Sequence, residues 1–140
     1  MLEIYTAGFL DADGSVSLSK DHKNENWKRT PCVEFYNADI GILETIVERW
    51  GGRINARKPK NPNHNISYAI RLTGDKALKL LTDVAPYMLH SKKAHRAKLI
   101  VEHYKASTPR NGKYTPELIE KKKWLVEEVM GMTMRGAGAY

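Results

Sequence analysis

The chain has 140 residues, a length that fits one domain with a substantial core and leaves no room for several. Its 23 Lys and Arg outnumber 16 Asp and Glu, giving a formal charge of +7; this favours a polyanionic partner, nucleic acid ahead of an anionic membrane surface. The one cysteine, Cys32, excludes an intramolecular disulfide and a cysteine-ligated zinc site, and no apolar run approaches the length of a membrane span.

In chain order, Leu2 to Leu10 lacks proline and reads as a helix, running on through Asp11-Ala12-Asp13 to Gly14. Gly14 is expected to stop it in a left-handed cap. Asp11 and Asp13 then fall in the last turn, where unpaired carbonyls and the negative end of the helix dipole disfavour carboxylates. That placement makes sense if a cation comes to meet them. Ser15 to Lys20 alternates, with Val16 and Leu18 on one face and Ser15, Ser17 and Ser19 on the other, as in a half-buried strand. After a polar loop a second strand is expected from Lys28 to Tyr36, with Val33 and Phe35 inward and Cys32, Glu34 and Tyr36 outward. Pro31 suits an edge or bulge better than a central ladder position.

Asp39 is placed to cap a helix whose apolar stripe is Ile42, Leu43, Ile46, Val47 and Trp50, stopped by Gly51-Gly52. Arg53 to Lys58 alternates again, with Ile54 and Ala56 inward and Arg53, Asn55 and Arg57 outward. The loop Pro59 to His64 leads to a strand over Asn65–Leu72, in which Ile66, Tyr68, Ile70 and Leu72 oppose Ser67, Ala69 and Arg71. The rest is helical. Asp75 caps a helix that Pro86 interrupts, Ser91 caps another carrying Ala94, Ala97, Val101 and Tyr104, and Thr115-Pro116-Glu117 starts the last. Residues 1–131 read as a single domain and the Gly/Ala-rich residues 132–140 as a flexible tail.

Strands paired by short connections predict an α+β fold, an antiparallel sheet with helices on one face. The other face would carry Ser, Asn, Glu, Arg and Tyr. From Arg49 to Gly74 there is no acid, against Arg49, Arg53, Arg57, Lys58, Lys60 and Arg71. A polar, cationic, antiparallel face is the kind of surface that enters a DNA major groove and reads base edges. An EF-hand calcium loop is excluded because Ser15 stands two residues after Asp13. The five histidines show no H-E-x-x-H spacing, and Asn63-His64-Asn65 is too little for an HNH nuclease.

Thr6-Ala7-Gly8-Phe9-Leu10-Asp11-Ala12-Asp13-Gly14 resembles the nonapeptide of the LAGLIDADG homing endonucleases, departing at Thr6 and by hydrophobic exchange at Phe9 and Leu10. The αββαββα order resembles that family over nearly the whole chain and implies its saddle-like sheet. The small residues Gly8 and Ala12, four apart on one helix face, would admit a second helix; in the family two such helices pack together. One copy of the motif implies a homodimer on a near-palindromic double-stranded DNA site. By the same resemblance Asp13 is a catalytic, metal-binding acid and the Ala12 carbonyl a second metal contact, with Mg²⁺ suiting oxygen ligands. Asp11 is the more structural of the two acids. Lys92 matches the family's active-site basic residue, with Lys93 one position on as the other candidate. Asn37 matches its water-positioning polar residue, or else is a turn or capping Asn.

Strand alternation nominates Ser17, Ser19, Lys28, Glu34, Tyr36, Arg53, Asn55, Arg57, Ser67 and Arg71 for DNA contact, with Arg53 and Arg57 foremost for guanine and Lys23, Lys58 and Lys60 for phosphates. The resemblance implies a Mg²⁺-dependent, intron- or intein-encoded endonuclease that cuts both strands. An RNA-binding intron maturase or a DNA-binding family member without catalysis is the alternative. An intracellular location, in cytoplasm, nucleoid or an organelle, is expected, since Met1-Leu2-Glu3 opens no signal peptide.

Overall fold

The computed structural model describes residues 1–58, 61 and 66–131. Helix α1 (Leu2–Asp13) is followed by strands β1 (Ser15–Ser19) and β2 (Thr30–Asn37). Helix α2 (Ile40–Trp50) then leads to β3 (Ile54–Arg57) and β4 (Ser67–Thr73). Helices α3 (Asp75–Val84), α4 (Ser91–His103) and α5 (Pro116–Met130) complete the chain, with short 3₁₀ turns at Ala85–Tyr87 and Lys105–Ser107. The strands form one antiparallel sheet in the order β1-β2-β4-β3, the expected α+β fold. Among the described residues no helix is long and apolar enough to cross a membrane.

Alternation decides which side of the sheet is buried. Val16, Leu18, Val33, Phe35, Ile70 and Leu72 are all at most 1% exposed and share one core with Ala7, Leu10, Leu43, Ile46, Leu80, Leu81, Ile100, Leu125 and Val126 of the helices. Phe9 stacks at a tilt on Phe35 with ring centroids 5.2 Å apart. Burying one such aromatic side chain contributes about 1.5–3 kcal/mol. Asp39 caps α2 as expected, accepting the Gly41 N–H at 2.9 Å. Thr115 caps α5 through the Leu118 N–H, with Pro116 in its first turn.

Several expectations are corrected. Gly14 is extended (φ −102°, ψ 179°), not left-handed. A β-carbon there would lie 2.5 Å from Leu10 Cδ1 and 2.9 Å from the Glu34 carbonyl oxygen. Close approach of helix to strand, not conformation, requires glycine. The second strand starts at Thr30, so Lys28 precedes it. Pro31 lies in β2, an interior strand, near its start. The Gly74 N–H donates to the Pro31 carbonyl at 3.0 Å, and the Gly74 carbonyl accepts from Leu78 at the head of α3. The donor proline lacks therefore orphans no acceptor.

Cys32, expected outward, is on the polar face yet only 1% exposed. Ala56 pairs with Tyr68 on the helix side but is exposed, because β3 is an edge strand. Ile66 precedes β4 and is 48% exposed. Gly74, not Asp75, occupies the cap position of α3, and His90, not Ser91, caps α4, its Nδ1 accepting the Lys93 N–H at 3.2 Å. Lys60, His64 and the tail 132–140 lie outside the described residues.

The free edge of β1 is covered by side chains. Arg96 Nη1 donates to the Val16 carbonyl at 3.2 Å, Arg29 Nη1 to the Leu18 carbonyl at 3.1 Å, and the Leu18 N–H to Met130 Sδ at 3.3 Å. Such cover blunts the tendency of an open edge to pair with another chain.

Candidate nuclease site and nucleic-acid interface

Helix α1 divides into two faces. Thr6, Ala7 and Leu10 are buried against the core, while Ile4 and Tyr5 are more than half exposed and Gly8, Ala12 and Asp13 are open. A β-carbon on Gly8 would meet nothing within 4 Å. Within one chain, then, Gly8 and Ala12 sit on an unoccupied strip flanked by exposed apolar side chains. At the other end of the helix Glu3 pairs with Arg49 at 2.7 Å. Its carboxyl is lowered to about 2, first by a hydrogen bond from its own backbone N–H, then by the terminal amine and Arg49.

The two aspartates at the C-terminal end differ sharply. Asp11 is half-buried and Oδ2 accepts the Leu89 N–H at 2.7 Å, fastening α1 to the segment that precedes α4. Its Oδ1 is buried without a hydrogen-bond partner among the described residues. Asp13 is exposed and makes no hydrogen bond or ion pair among them. A buried oxygen is out of reach of an arriving ion, whereas the Asp13 carboxylate is available to one.

The lysines at the head of α4 also separate. Lys93 Nζ donates to the carbonyls of Leu10 at 3.3 Å and Asp11 at 2.8 Å; the Leu10 carbonyl also accepts the Gly14 N–H, while for the Asp11 carbonyl, among the last of the helix, the lysine supplies the donor. Lys92, one position earlier, is exposed and lines a shallow recess with His95, Arg96 and Glu128. The lysine that reaches the α1 terminus is Lys93. Asn37, the last residue of β2, lies in register with Tyr68 and its Oδ1 accepts the Asp39 N–H at 2.8 Å, so it does form the turn before α2.

Among the described residues no three His, Cys, Asp or Glu side chains cluster closely enough to hold a metal. What one chain offers at the end of α1 is a free carboxylate, Asp13, beside the Ala12 carbonyl. Those are hard oxygen donors of the kind Mg²⁺ takes, and a complete shell would draw its other ligands from outside the chain.

The exposed sheet face follows from the pairing register. Ser15 lies opposite Glu34 and Ser17 opposite Cys32; Glu34 lies opposite Arg71 and Tyr36 opposite Ala69; Asn55 and Arg57 lie opposite Ala69 and Ser67. Eight of the nominated contact residues share this face: Ser17, Ser19, Glu34, Tyr36, Asn55, Arg57, Ser67 and Arg71. Arg53 and Lys58 flank β3 and are exposed, and Lys23 is exposed in the β1–β2 loop. Lys28 does not join the face; its ammonium sits 5.9 Å from the Tyr114 ring centroid.

At the middle of the face the side chains are linked. Arg71 Nε donates to Cys32 Sγ at 3.4 Å, Cys32 Sγ donates to Glu34 Oε1 at 3.9 Å, and the Tyr36 hydroxyl donates to Glu34 Oε2 at 2.5 Å. The Arg57 guanidinium lies 4.9 Å from the Tyr36 ring centroid. The bond to Glu34 raises the Tyr36 phenol above its ordinary range, with burial adding to it. Sequence reasoning named the members of this chain apart from Cys32 and missed that they connect. Alternation across β2 and β4 was the available signal.

A LAGLIDADG endonuclease family model matches residues 6–107. No curated protein shows a significant match. Among solved structures the chain is similar to the homing endonuclease I-CvuI in complex with its target, at 20% identity and TM-score 0.68, covering 94% of this chain and 82% of that one. It is also similar to the archaeal intron-encoded homing endonuclease I-Vdi141I complexed with DNA, at 22% identity and TM-score 0.56, covering 96% and 85%. A third is the LAGLIDADG homing endonuclease I-GzeII with its DNA target, at 17% identity and TM-score 0.64, where the match takes in 94% of this chain and 45% of that one. At these identities the structures establish the fold; the matched motif and the match across most of the chain establish that this protein belongs to the LAGLIDADG endonuclease family.

Proposed function

We propose that the protein is a homodimeric, Mg²⁺-dependent, site-specific DNA endonuclease that cuts both strands of a near-palindromic target, encoded within an intron or intein and acting inside the cell. The observation that carries this reading is Asp13. It is an exposed, unpaired carboxylate at the end of α1, separated by Gly14 alone from the strand that begins the polar sheet face.

In this reading the exposed strip of Gly8 and Ala12 packs against the same strip of a second copy, bringing two Asp13 carboxylates together. Asp13 and the Ala12 carbonyl would hold the metal ion, each copy contributing its own pair of oxygens. Bound Mg²⁺ supplies electrostatic stabilisation of the attacking and leaving oxygens in an in-line phosphodiester hydrolysis. Lys93 and Asp11 act through position, fixing the end of α1 so that Asp13 meets the phosphate. Asn37 is poised to orient water through the amide nitrogen that its turn does not use. The sheet face, with Arg57 on it and Arg53 at its flank, reads base edges, while Lys23 and Lys58 meet phosphates.

The test is incubation with a plasmid library of candidate sites, with and without Mg²⁺. Linear product that requires Mg²⁺ and vanishes in Asp13→Asn, with DNA binding retained, is expected. Tight binding of a structured intron RNA with no cleavage of any DNA site would replace this reading with the maturase one.

A further inference from the structure

The network at the centre of the sheet face has an arrangement that a solvated polar surface does not need. Cys32 is 1% exposed at the floor of the face, and its sulfur is hydrogen-bonded to both Arg71 and Glu34. Glu34 and Arg71 are direct cross-strand partners, opposite in sign, yet they form no ion pair among the described residues. Glu34 instead spends its two oxygens on Cys32 and Tyr36, and the thiol stands between the charges. Arg71 is thereby held by Nε alone. The terminal nitrogens Nη1 and Nη2 keep their protons and their charge, on a side chain that is exposed above the sheet.

A guanidinium whose Nε is already occupied can recognise a base only end-on, through its two terminal nitrogens. The partner that offers two acceptors at that spacing in the major groove is guanine, through O6 and N7. Arginine loses substantial rotamer freedom when it docks, and a bond that orders it beforehand removes part of that cost. We propose that Arg71 reads a guanine in each half-site and that Cys32 is its positioning residue, setting the end-on presentation by accepting the Nε–H. Glu34 and Tyr36 complete the device by keeping the thiol oriented and the carboxylate away from the guanidinium. The assignment rests on the sheet face reading DNA, as proposed above.

The test is selection of bound duplexes from a randomised DNA library, run with Ca²⁺ in place of Mg²⁺ to hold cleavage in abeyance. The wild-type protein should select guanine at one symmetric pair of positions that Arg71→Lys flattens by about tenfold. Cys32→Ala should lower preference several-fold at that same pair, leave the other positions and the affinity for random-sequence DNA unchanged, and be rescued by Cys32→Ser, whose hydroxyl still accepts. Thermal unfolding of each variant identifies loss through misfolding, which would reduce all positions together and is separated by the Ser variant. An Arg71-dependent guanine that is indifferent to Cys32→Ala overturns the positioning role. Failure of Arg71→Lys to alter any position overturns the readout. A wild-type protein without sequence preference overturns instead the DNA-reading assignment beneath both.

Discussion

The ammonium of Lys93 meets the carbonyl of Asp11 at 2.8 Å, joining the first turn of α4 to the last turn of α1. With the second bond to Leu10 this places a positive charge where the dipole of α1 is most negative, offsetting in part the carboxylates beside it. Lys93→Met should lower stability by about 1.5–3 kcal/mol, the usual worth of hydrogen bonds to a charged group, measured by urea denaturation. Cleavage should fall further than binding, because the end of α1 loses its tether. If Lys92→Met has the larger effect on cleavage, the assignment of Lys93 fails.

Gly14→Ala tests why glycine stands between helix and strand. Its backbone dihedrals are open to any residue, so a purely conformational argument predicts tolerance. The short distances from a β-carbon to Leu10 and the Glu34 carbonyl predict a loss of about 1–3 kcal/mol from overpacking. A melting temperature equal to that of wild type would refute the close-approach account.

Gly8→Ala has the opposite expectation. Nothing in the chain obstructs the new methyl, and alanine in a helix interior is worth about 0.5–1 kcal/mol over glycine. The subunit should hold or gain stability while self-association weakens, as sedimentation would show. An unchanged dimer would move the proposed interface away from this strip.

Lys122 gives an unusual pH response. It is fully buried in α5, its ammonium bonded to Thr108 Oγ1 and 4.0 Å from the Tyr104 ring centroid, and burial lowers it from 10.5 to about 8. Between pH 8 and 10.5 the unfolded chain therefore binds more protons at this residue than the folded one, so stability rises with pH through that window. Burial raises Tyr104 and Tyr114, so above pH 10 their ionisation in the unfolded chain works the other way. Unfolding followed from pH 7 to 10 should show a gain of about 2 kcal/mol from this lysine. Lys122→Met should abolish it.

The elements were legible because their periods are clean: Val16 and Leu18, Val33 and Phe35, Ile70 and Leu72 all alternate into the core. The LAGLIDADG-like nonapeptide was legible for a different reason, since its residue types are dictated by a helix end and a close contact. What escaped is three-dimensional. Lys92 and Lys93 are adjacent in the chain but about 100° apart around a helix, and only packing decides which one faces α1. Gly14 was identified correctly but for conformational reasons, while the strand that crowds it enters about twenty residues later. Ala56 obeys the pairing register but not burial, because alternation says nothing of where a sheet ends. Cys32 is a polar-face residue that its neighbours conceal, and a single strand cannot announce what leans over it.

One residue, Gly14, separates α1 from β1. If α1 carries the cutting carboxylate and β1 begins the reading surface, that short junction makes the molecule a ruler. The distance from the scissile phosphate to the first recognised base pair is then set by covalent geometry and does not depend on which bases are read. Exchanging side chains on the sheet would retarget such an enzyme without altering the stagger of its cut.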